Sequence, residues 1–143
     1  MGRVPGLKLV VFDLDGTLVE EPSSWSKIHR HFGTETVERR NLRAYSGGDM
    51  TYDEFAVRDI EAWPRTTHLD DIWRILQHYR YLPGARTCLK NLSKMGLLTA
   101  IVSAGLDLLA YAVADDLAID YVLANGLEVD EEVRIDIIKD NSL

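Results

Sequence analysis

The chain reads Leu9-Val10-Val11-Phe12-Asp13-Leu14-Asp15-Gly16-Thr17 close to its first residue, and no other stretch is as informative. The apolar run of its first four residues is typical of a buried strand. A glycine turn follows, and open α/β sheets bind ligands just beyond the carboxyl ends of their strands. Because Asp13 and Asp15 are separated by one residue, their side chains point toward one shared site in extended chain. The stretch therefore predicts a chemical site at Asp13 and Asp15.

Two carboxylates at one site have the chemistry for phosphoryl transfer. One carboxylate can attack a phosphoryl group to form an aspartyl-phosphate, and the other can move protons. Both groups also suit Mg²⁺, which prefers hard oxygen ligands. Gly16 lets the backbone approach a phosphate, and Thr17 offers a hydroxyl and an amide. The alternative interpretation is an acidic turn with a solvated pair of aspartates.

A second apolar run, residues 97–102, also predicts a buried strand, and it ends in Ser103-Ala104-Gly105 before a helical stretch. A serine hydroxyl, backbone amides and the positive end of a helix dipole together favour a phosphoryl oxygen. We therefore predict that Ser103, Ala104 and Gly105 bind phosphate. The alternative is a small-residue turn in which Ser103 is the N-cap of the next helix.

Asp-x-Asp-Gly-Thr after an apolar strand resembles the first motif of the haloacid dehalogenase superfamily of phosphatases. The resemblance implies that Asp13 is the nucleophile and Asp15 the general acid and base. It also implies a Mg²⁺ ion held by the Asp13 carboxylate and the Asp15 main-chain carbonyl, and it makes Ser103 the second motif of the family. The implied activity is Mg²⁺-dependent hydrolysis of a small phosphorylated metabolite.

The likeness extends to the branch that contains phosphoserine phosphatases, through residues 101–105 and 117–129. Ala104 and Leu106 depart from the Ser-Gly-Gly-Phe sequence of that branch. The branch implies phosphoserine as the leading substrate, with an acidic residue for its amine and an arginine for its carboxylate. Glu20 and Arg58 are the candidates here, although Glu20 falls slightly early. Solvated charges are the alternative interpretation of both residues.

Two further family elements are not found in the sequence: a lysine that steadies the phosphorylated aspartate, and a Gly-Asp-x-x-x-Asp loop that completes the Mg²⁺ site. Residues 130–143 offer only Lys139 as a stand-in, and a solvated lysine is the alternative. The resemblance thus implies truncation at the C-terminal end, with half of the family's sheet absent.

A strand edge left without its neighbour is a template for pairing with another chain. We expect a homodimer through the exposed edge of the first strand, association with a missing half, or cover by the C-terminal segment. The alternative function is a catalytically impaired protein that acts as a binding or oligomerising module.

The periodicity predicts a helical cap, residues 20–81, inserted into a core of residues 1–19 and 82–143. Cap helices are predicted to begin at Ser23 or Ser24, at a capping box opened by Thr51, and at Thr67. Helices and strands then alternate, which predicts a Rossmann-like α/β core with a partial parallel sheet. Residues 127–129 and 133–135 are predicted to form a small hairpin.

Composition narrows the partners and the location. The 143 residues carry a net charge of −7, which argues against nucleic acid or an anionic membrane as the main partner. No apolar run approaches the length of a membrane span, and no signal-peptide pattern is found. The single cysteine, Cys88, excludes an internal disulfide, favours a reducing compartment and predicts a cytoplasmic location. The surrounding pattern predicts that Cys88 packs in a helix core.

Overall fold

The computed structural model describes residues 5–129 and, by their backbone, residues 135–139. Six helices and four strands occur in these ranges. In chain order they are β1 (Leu9–Phe12), α1 (Ser24–Phe32), α2 (Glu35–Ser46), α3 (Tyr52–Glu61), α4 (Leu69–Leu76), α5 (Ala85–Lys94), β2 (Leu98–Leu106), α6 (Asp107–Leu117), β3 (Tyr121–Val129) and β4 (Ile135–Lys139).

The strands form one sheet in the order β1-β2-β3-β4. The pairs β1–β2 and β2–β3 are parallel, and β3–β4 is antiparallel. Phe12, the last residue of β1, pairs with Ile101, so the chain leaves β1 beside residues 102–105 of β2. The predicted α/β class, with a partial parallel sheet and inserted helices, is confirmed.

A hairpin of β3 and β4 follows the parallel strands, as predicted, but its second strand has other bounds. β3 runs from Tyr121 to Val129, and within it Leu127 pairs with Ile138 and Val129 with Ile135. β4 runs from Ile135 to Lys139, so it continues four residues beyond the end of the predicted second strand, residues 133–135. Val133 and Arg134 lie outside the described residues.

The inserted helices leave and rejoin the sheet layer at one crossing. The Glu20 amide donates to the Arg80 carbonyl (2.8 Å), and the Leu82 amide donates to the Leu18 carbonyl (2.9 Å). This crossing lies at the proposed boundary between the core, residues 1–19 and 82–143, and the cap, residues 20–81. Both sides of the boundary share one buried apolar cluster, which contains Leu14 and Ile101 as well as Ile72 of α4.

The starts of the cap helices follow local hydrogen bonding. The predicted capping box of α3 is confirmed, because the Glu54 amide donates to Thr51 Oγ1 (3.2 Å) and the Thr51 amide donates to Glu54 Oε2 (2.9 Å). The predicted Thr67 cap of α4 is wrong by one residue. The N-cap is His68, whose amide donates to Asp71 Oδ2 (2.9 Å), while the Thr67 hydroxyl donates to the Pro64 carbonyl (2.6 Å).

Cys88 does not pack as the sequence pattern predicted. Cys88 is exposed, not packed in a core, because α5 buries the side of the helix that carries Ala85 and Leu89.

On the sheet, several large apolar side chains of β1, β2 and β3 are exposed: Leu9, Val11, Leu98, Val102 and Tyr121. In the described part of the chain, β1 is an edge strand. No helix in that part is long and apolar enough to cross a membrane.

Candidate active site

The two aspartates of the first motif follow β1 directly. Leu14 between them is fully buried, so the alternation of the chain turns Asp13 and Asp15 away from the core. Asp13 is exposed, and its Oδ1 accepts a hydrogen bond from the Leu14 amide at 2.7 Å. Asp15 is half-buried. The two carboxylates therefore share a site with different solvent access.

The turn after Asp15 is closed by its own backbone. The Leu14 carbonyl accepts from the amides of Thr17 (3.1 Å) and Leu18 (2.9 Å), and the Gly16 amide donates to the Glu21 carbonyl (2.8 Å). Gly16 adopts a φ of 71°, a left-handed conformation that suits glycine. The turn therefore uses the amides of Gly16 and Thr17 internally, and the exposed Thr17 side chain is the group it presents to solvent.

Asp15 is held by the first residue of α1. The Ser24 amide donates to Asp15 Oδ2 and the Ser24 hydroxyl donates to Oδ1, both at 2.8 Å. Burial raises the pKa of the Asp15 carboxyl, the two Ser24 hydrogen bonds lower it, and the charges of Asp13 and Glu21 raise it. The net shift is upward, so Asp15 keeps its proton to higher pH than an ordinary aspartate.

The end of β2 brings the second motif to Asp15. The strand pairing shifts register between Val102 and Leu106, and the Gly105 amide donates to Ser103 Oγ at 3.0 Å. A Cβ placed on Gly105 would lie 3.0 Å from Asp15 Oδ2 and 3.2 Å from Ser103 Oγ. A side chain at this position would force its neighbours to move by a few tenths of an ångström, so Asp15, Ser103 and Gly105 lie in close contact.

Ser103 is not a helix N-cap, so that part of the alternative interpretation of the second motif is wrong. α6 begins at Asp107, and its N-cap is Leu106. Because Ser103 Oγ accepts from the Gly105 amide, its hydroxyl proton points elsewhere and suits a ligand oxygen.

The Ala104 carbonyl joins the cap to this motif. It accepts from Trp25 Nε1 of α1 (3.3 Å), from the Tyr52 hydroxyl of α3 (3.3 Å) and from Asn125 Nδ2 of β3 (2.9 Å). Asn125 Nδ2 also donates to the Tyr52 oxygen at 2.6 Å. Sequence reasoning missed Tyr52 and Asn125, because nothing local in the chain links residues that lie 73 positions apart.

Glu20 and Arg58 line two pockets apart from the residues of the two motifs. The exposed Glu20 lines a depression of about 230 Å³ together with Lys27 and Arg80, where the chain enters and leaves the cap. Arg58 lines a pocket of about 350 Å³ between α2 and α3 that also includes Arg40. Neither lining includes an aspartate or serine of the two motifs.

The donor set suits Mg²⁺ better than an ion bound wholly by protein side chains. In residues 5–129 no group of three or more His, Cys, Asp and Glu side chains is arranged to hold a metal. Mg²⁺ keeps several waters and is bound through one or two carboxylates together with substrate phosphate. The exposed carboxylate of Asp13, oriented by the Leu14 amide, fits that requirement.

Residues 10–139 match the family model of haloacid dehalogenase-like hydrolases, and the chain belongs to this family. It is 24% identical over 140 residues to a phosphoserine phosphatase of Methanocaldococcus jannaschii, an alignment that covers 94% of this chain and 65% of the relative. It is 28% identical over 124 residues to a phosphoserine phosphatase of Mycobacterium tuberculosis, an alignment that covers 85% of this chain and 29% of the relative. The chain thus spans less than two thirds of the length of these curated relatives.

Solved structures show the same fold. A haloacid dehalogenase family hydrolase of Salmonella enterica serovar Typhi superposes with a TM-score of 0.79 at 24% identity, covering 92% of this chain and 45% of the other. A substrate-bound phosphoserine phosphatase superposes with a TM-score of 0.78 at 21% identity, covering 96% of this chain and 64% of the other.

Proposed function

We propose that this chain hydrolyses phosphomonoesters of small metabolites through a phosphoryl group carried on Asp13. A carboxylate oxygen of Asp13 attacks phosphorus, and the ester P–O bond breaks. The leaving oxygen takes the proton of Asp15 and departs as an alcohol. Asp15, now a carboxylate, takes a proton from the water that attacks the aspartyl-phosphate, which releases inorganic phosphate and restores Asp13.

The meeting of Asp15, Ser103 and Gly105 is the observation that supports this proposal most strongly. A proton donor and a hydroxyl that suits a phosphoryl oxygen lie beside one glycine, next to the exposed Asp13. The raised pKa of Asp15 favours its role as the acid that protonates the leaving group. Ser24 stabilises the carboxylate that Asp15 becomes after it gives up its proton, because the Ser24 amide and hydroxyl both donate to it.

We assign phosphate binding to the hydroxyls of Ser103 and Thr17, with Ala104 and Gly105 beside Ser103. Because the Gly16 and Thr17 amides are bonded within the first turn, Gly16 contributes through its backbone conformation. Mg²⁺ held by the Asp13 carboxylate and the Asp15 carbonyl would neutralise phosphate charge. Phosphoserine as the particular substrate would require Glu20 and Arg58 to reach the substrate, and these residues line pockets that include no aspartate or serine of the two motifs.

The proposal is tested by hydrolysis of p-nitrophenyl phosphate with and without Mg²⁺. We expect turnover that requires the ion and is abolished by Asp13→Asn, which keeps the size of the side chain but removes the nucleophile. The matched control is Asp115→Asn, the same change at an exposed position of α6. Turnover that survives Asp13→Asn would remove Asp13 from the mechanism.

A second candidate function, association through the sheet, is favoured by the exposed apolar residues of β1. Parallel sheets are ordinarily covered on both faces, yet Leu9 and Val11 are 45% and 53% exposed. We propose a homodimer through this edge. Multi-angle light scattering should then give twice the chain mass, and Val11→Lys should give the monomer. A monomer for the unsubstituted chain across the micromolar range would exclude it.

We also propose a cytoplasmic location, supported by the single exposed Cys88, which favours a reducing compartment. Cell fractionation that places the protein with periplasmic or secreted markers would contradict it.

A further inference from the structure

The cap side chains that reach the second motif are uncharged. Among the described residues, Trp25 and Tyr52 are the cap side chains that hydrogen-bond to residues 103–105. Each ring belongs to an aromatic cluster of its own: Trp25 lies 5.7 Å from Trp63, and Tyr52 lies 6.1 Å from Phe55, between ring centroids. The cap thus faces the motif with aromatic surface and neutral donors.

The geometry of α3 directs the charged residues elsewhere. Arg58 follows Tyr52 by six positions, which rotates its side chain about 120° away from the Tyr52 direction. It therefore lies toward α2, in the pocket that includes Arg40. Asp59 follows Tyr52 by seven positions, which returns it to within about 20° of that direction.

Asp59 is itself enclosed within the cap. The side chain is fully buried, and its Oδ1 accepts from Asn41 Nδ2 at 2.8 Å. Its Oδ2 lies 3.4 Å from Nε2 of the equally buried His29. The face of α3 that turns toward the motif therefore carries a carboxylate already engaged with α1 and α2, and no cation.

Glu20 and Glu21, which lie between β1 and α1, are each beside an arginine. Glu21 Oε2 accepts from Arg30 Nη2 at 2.6 Å, and Glu20 lines the depression beside Arg80. An amino-acid phosphate brings an ammonium and a carboxylate into the pocket, and burial of an ion without a partner of opposite charge weakens binding. An uncharged alcohol brings no such cost, and its carbon skeleton can pack on aromatic rings.

We propose that this site selects phosphomonoesters whose leaving group is an uncharged alcohol, with Trp25 and Tyr52 as specificity-determining residues. This inference rests on the phosphomonoester hydrolysis proposed above and names the substrate class for it. Tyr52 is placed for the task because its hydroxyl is held by Asn125 and by the carbonyl of Ala104, the residue after Ser103. The ring and the hydroxyl of Tyr52 thus give the cap an uncharged surface that can form hydrogen bonds.

Glycerol 3-phosphate and O-phosphoserine provide a matched test. They share a carbon skeleton and a net charge at neutral pH, but phosphoserine has an ammonium and a carboxylate where the glycerol ester has hydroxyls. Dissociation constants are measured by calorimetry with Asp13→Asn, which blocks turnover, and kcat/KM is measured with the unsubstituted chain. We expect a preference of about tenfold or more for glycerol 3-phosphate in both measurements, equivalent to about 1.4 kcal/mol.

Tyr52→Phe separates specificity from structure. Loss of the hydroxyl should reduce the preference to about threefold or less, whereas a purely structural effect would weaken both ligands equally and leave their ratio unchanged. Tyr45→Phe is the matched control, since Tyr45 is exposed and stacks on Phe55 without reaching Ala104. Arg58→Gln should change neither dissociation constant.

The outcomes distinguish the two proposals. Equal or tighter binding of phosphoserine, or its selective weakening by Arg58→Gln, overturns the uncharged-alcohol assignment and leaves phosphomonoester hydrolysis in place. A ratio that Tyr52→Phe does not move overturns the role of Tyr52. Failure to bind or hydrolyse either ester, together with inactivity toward p-nitrophenyl phosphate, overturns the proposed function itself.

Discussion

Replacement of Ser24 by alanine removes one of the two donors that hold Asp15. The lost bond joins Ser24 Oγ to Asp15 Oδ1 at 2.8 Å, and Ser24 is fully buried. A hydrogen bond to a charged group contributes about 1.5–3 kcal/mol, and water cannot readily replace this one. We expect Ser24→Ala to lower the free energy of unfolding by this amount at pH 7.5, which lowers Tm by roughly 6–12 °C for a domain of this size.

The loss should depend on pH with a definite sign. The Ser24 hydroxyl stabilises the charged form of Asp15 and so lowers its pKa; without it, the already raised pKa rises further. The difference between Ser24→Ala and the unsubstituted chain should therefore shrink as the pH falls and Asp15 is protonated in both. Urea unfolding followed by circular dichroism at pH 7.5 and pH 4.5 measures it.

Ser93→Ala is the control for this experiment, since it makes the same change at an exposed position of α5. We expect it to change the free energy of unfolding by less than about 0.5 kcal/mol. A Ser24→Ala loss no larger than that of the control, or one of equal size at both pH values, would refute the assignment of Ser24 as the holder of the Asp15 carboxylate.

Three further predictions concern the same architecture. Asp15→Asn should stabilise the fold at pH 7.5. The pKa of Asp15 is raised in the folded chain, so native stability falls as the pH rises through that pKa, whereas an amide does not ionise. Thermal scans measure the gain, and a gain of the same size at pH 3 would contradict this prediction. Gly105→Ala should lower the free energy of unfolding by about 1–3 kcal/mol in urea and should reduce kcat, because its Cβ would lie 3.0 Å from Asp15 Oδ2. Unchanged stability and kcat would show that Gly105 and Asp15 are not so closely packed. Ile72→Ala should cost about 2–5 kcal/mol, because Ile72 is fully buried in the cluster that cap and core share; a separate early transition for the cap in calorimetry would contradict that shared cluster.

The parts of the fold that sequence could predict are those that local physics determines. The apolar run before Asp13 and the alternation across Leu14 predicted a strand and two side chains turned to one site. The capping box at Thr51 was readable because both of its partners lie within one turn. The α/β class followed from the alternation of helices and strands.

The contacts that complete the candidate site were beyond sequence reasoning because they depend on how the cap lies on the core. Either Ser23 or Ser24 was predicted as the cap of α1; Ser23 is the cap, and the donors of Ser24 hold Asp15 across the first turn. Tyr52 and Asn125 meet only after the whole cap has folded between them. Arg58 looked suitable from its position in the chain, and the rotation of α3 turns it toward α2.

Borohydride trapping tests the central claim, that the Asp13 carboxylate accepts the phosphoryl group. Reduction of an aspartyl-phosphate during turnover converts that aspartate to homoserine, which peptide mass spectrometry locates by residue. We predict substrate-dependent conversion at Asp13, with Asp15 unchanged. Conversion at another residue, or steady hydrolysis with no conversion at all, would contradict the mechanism.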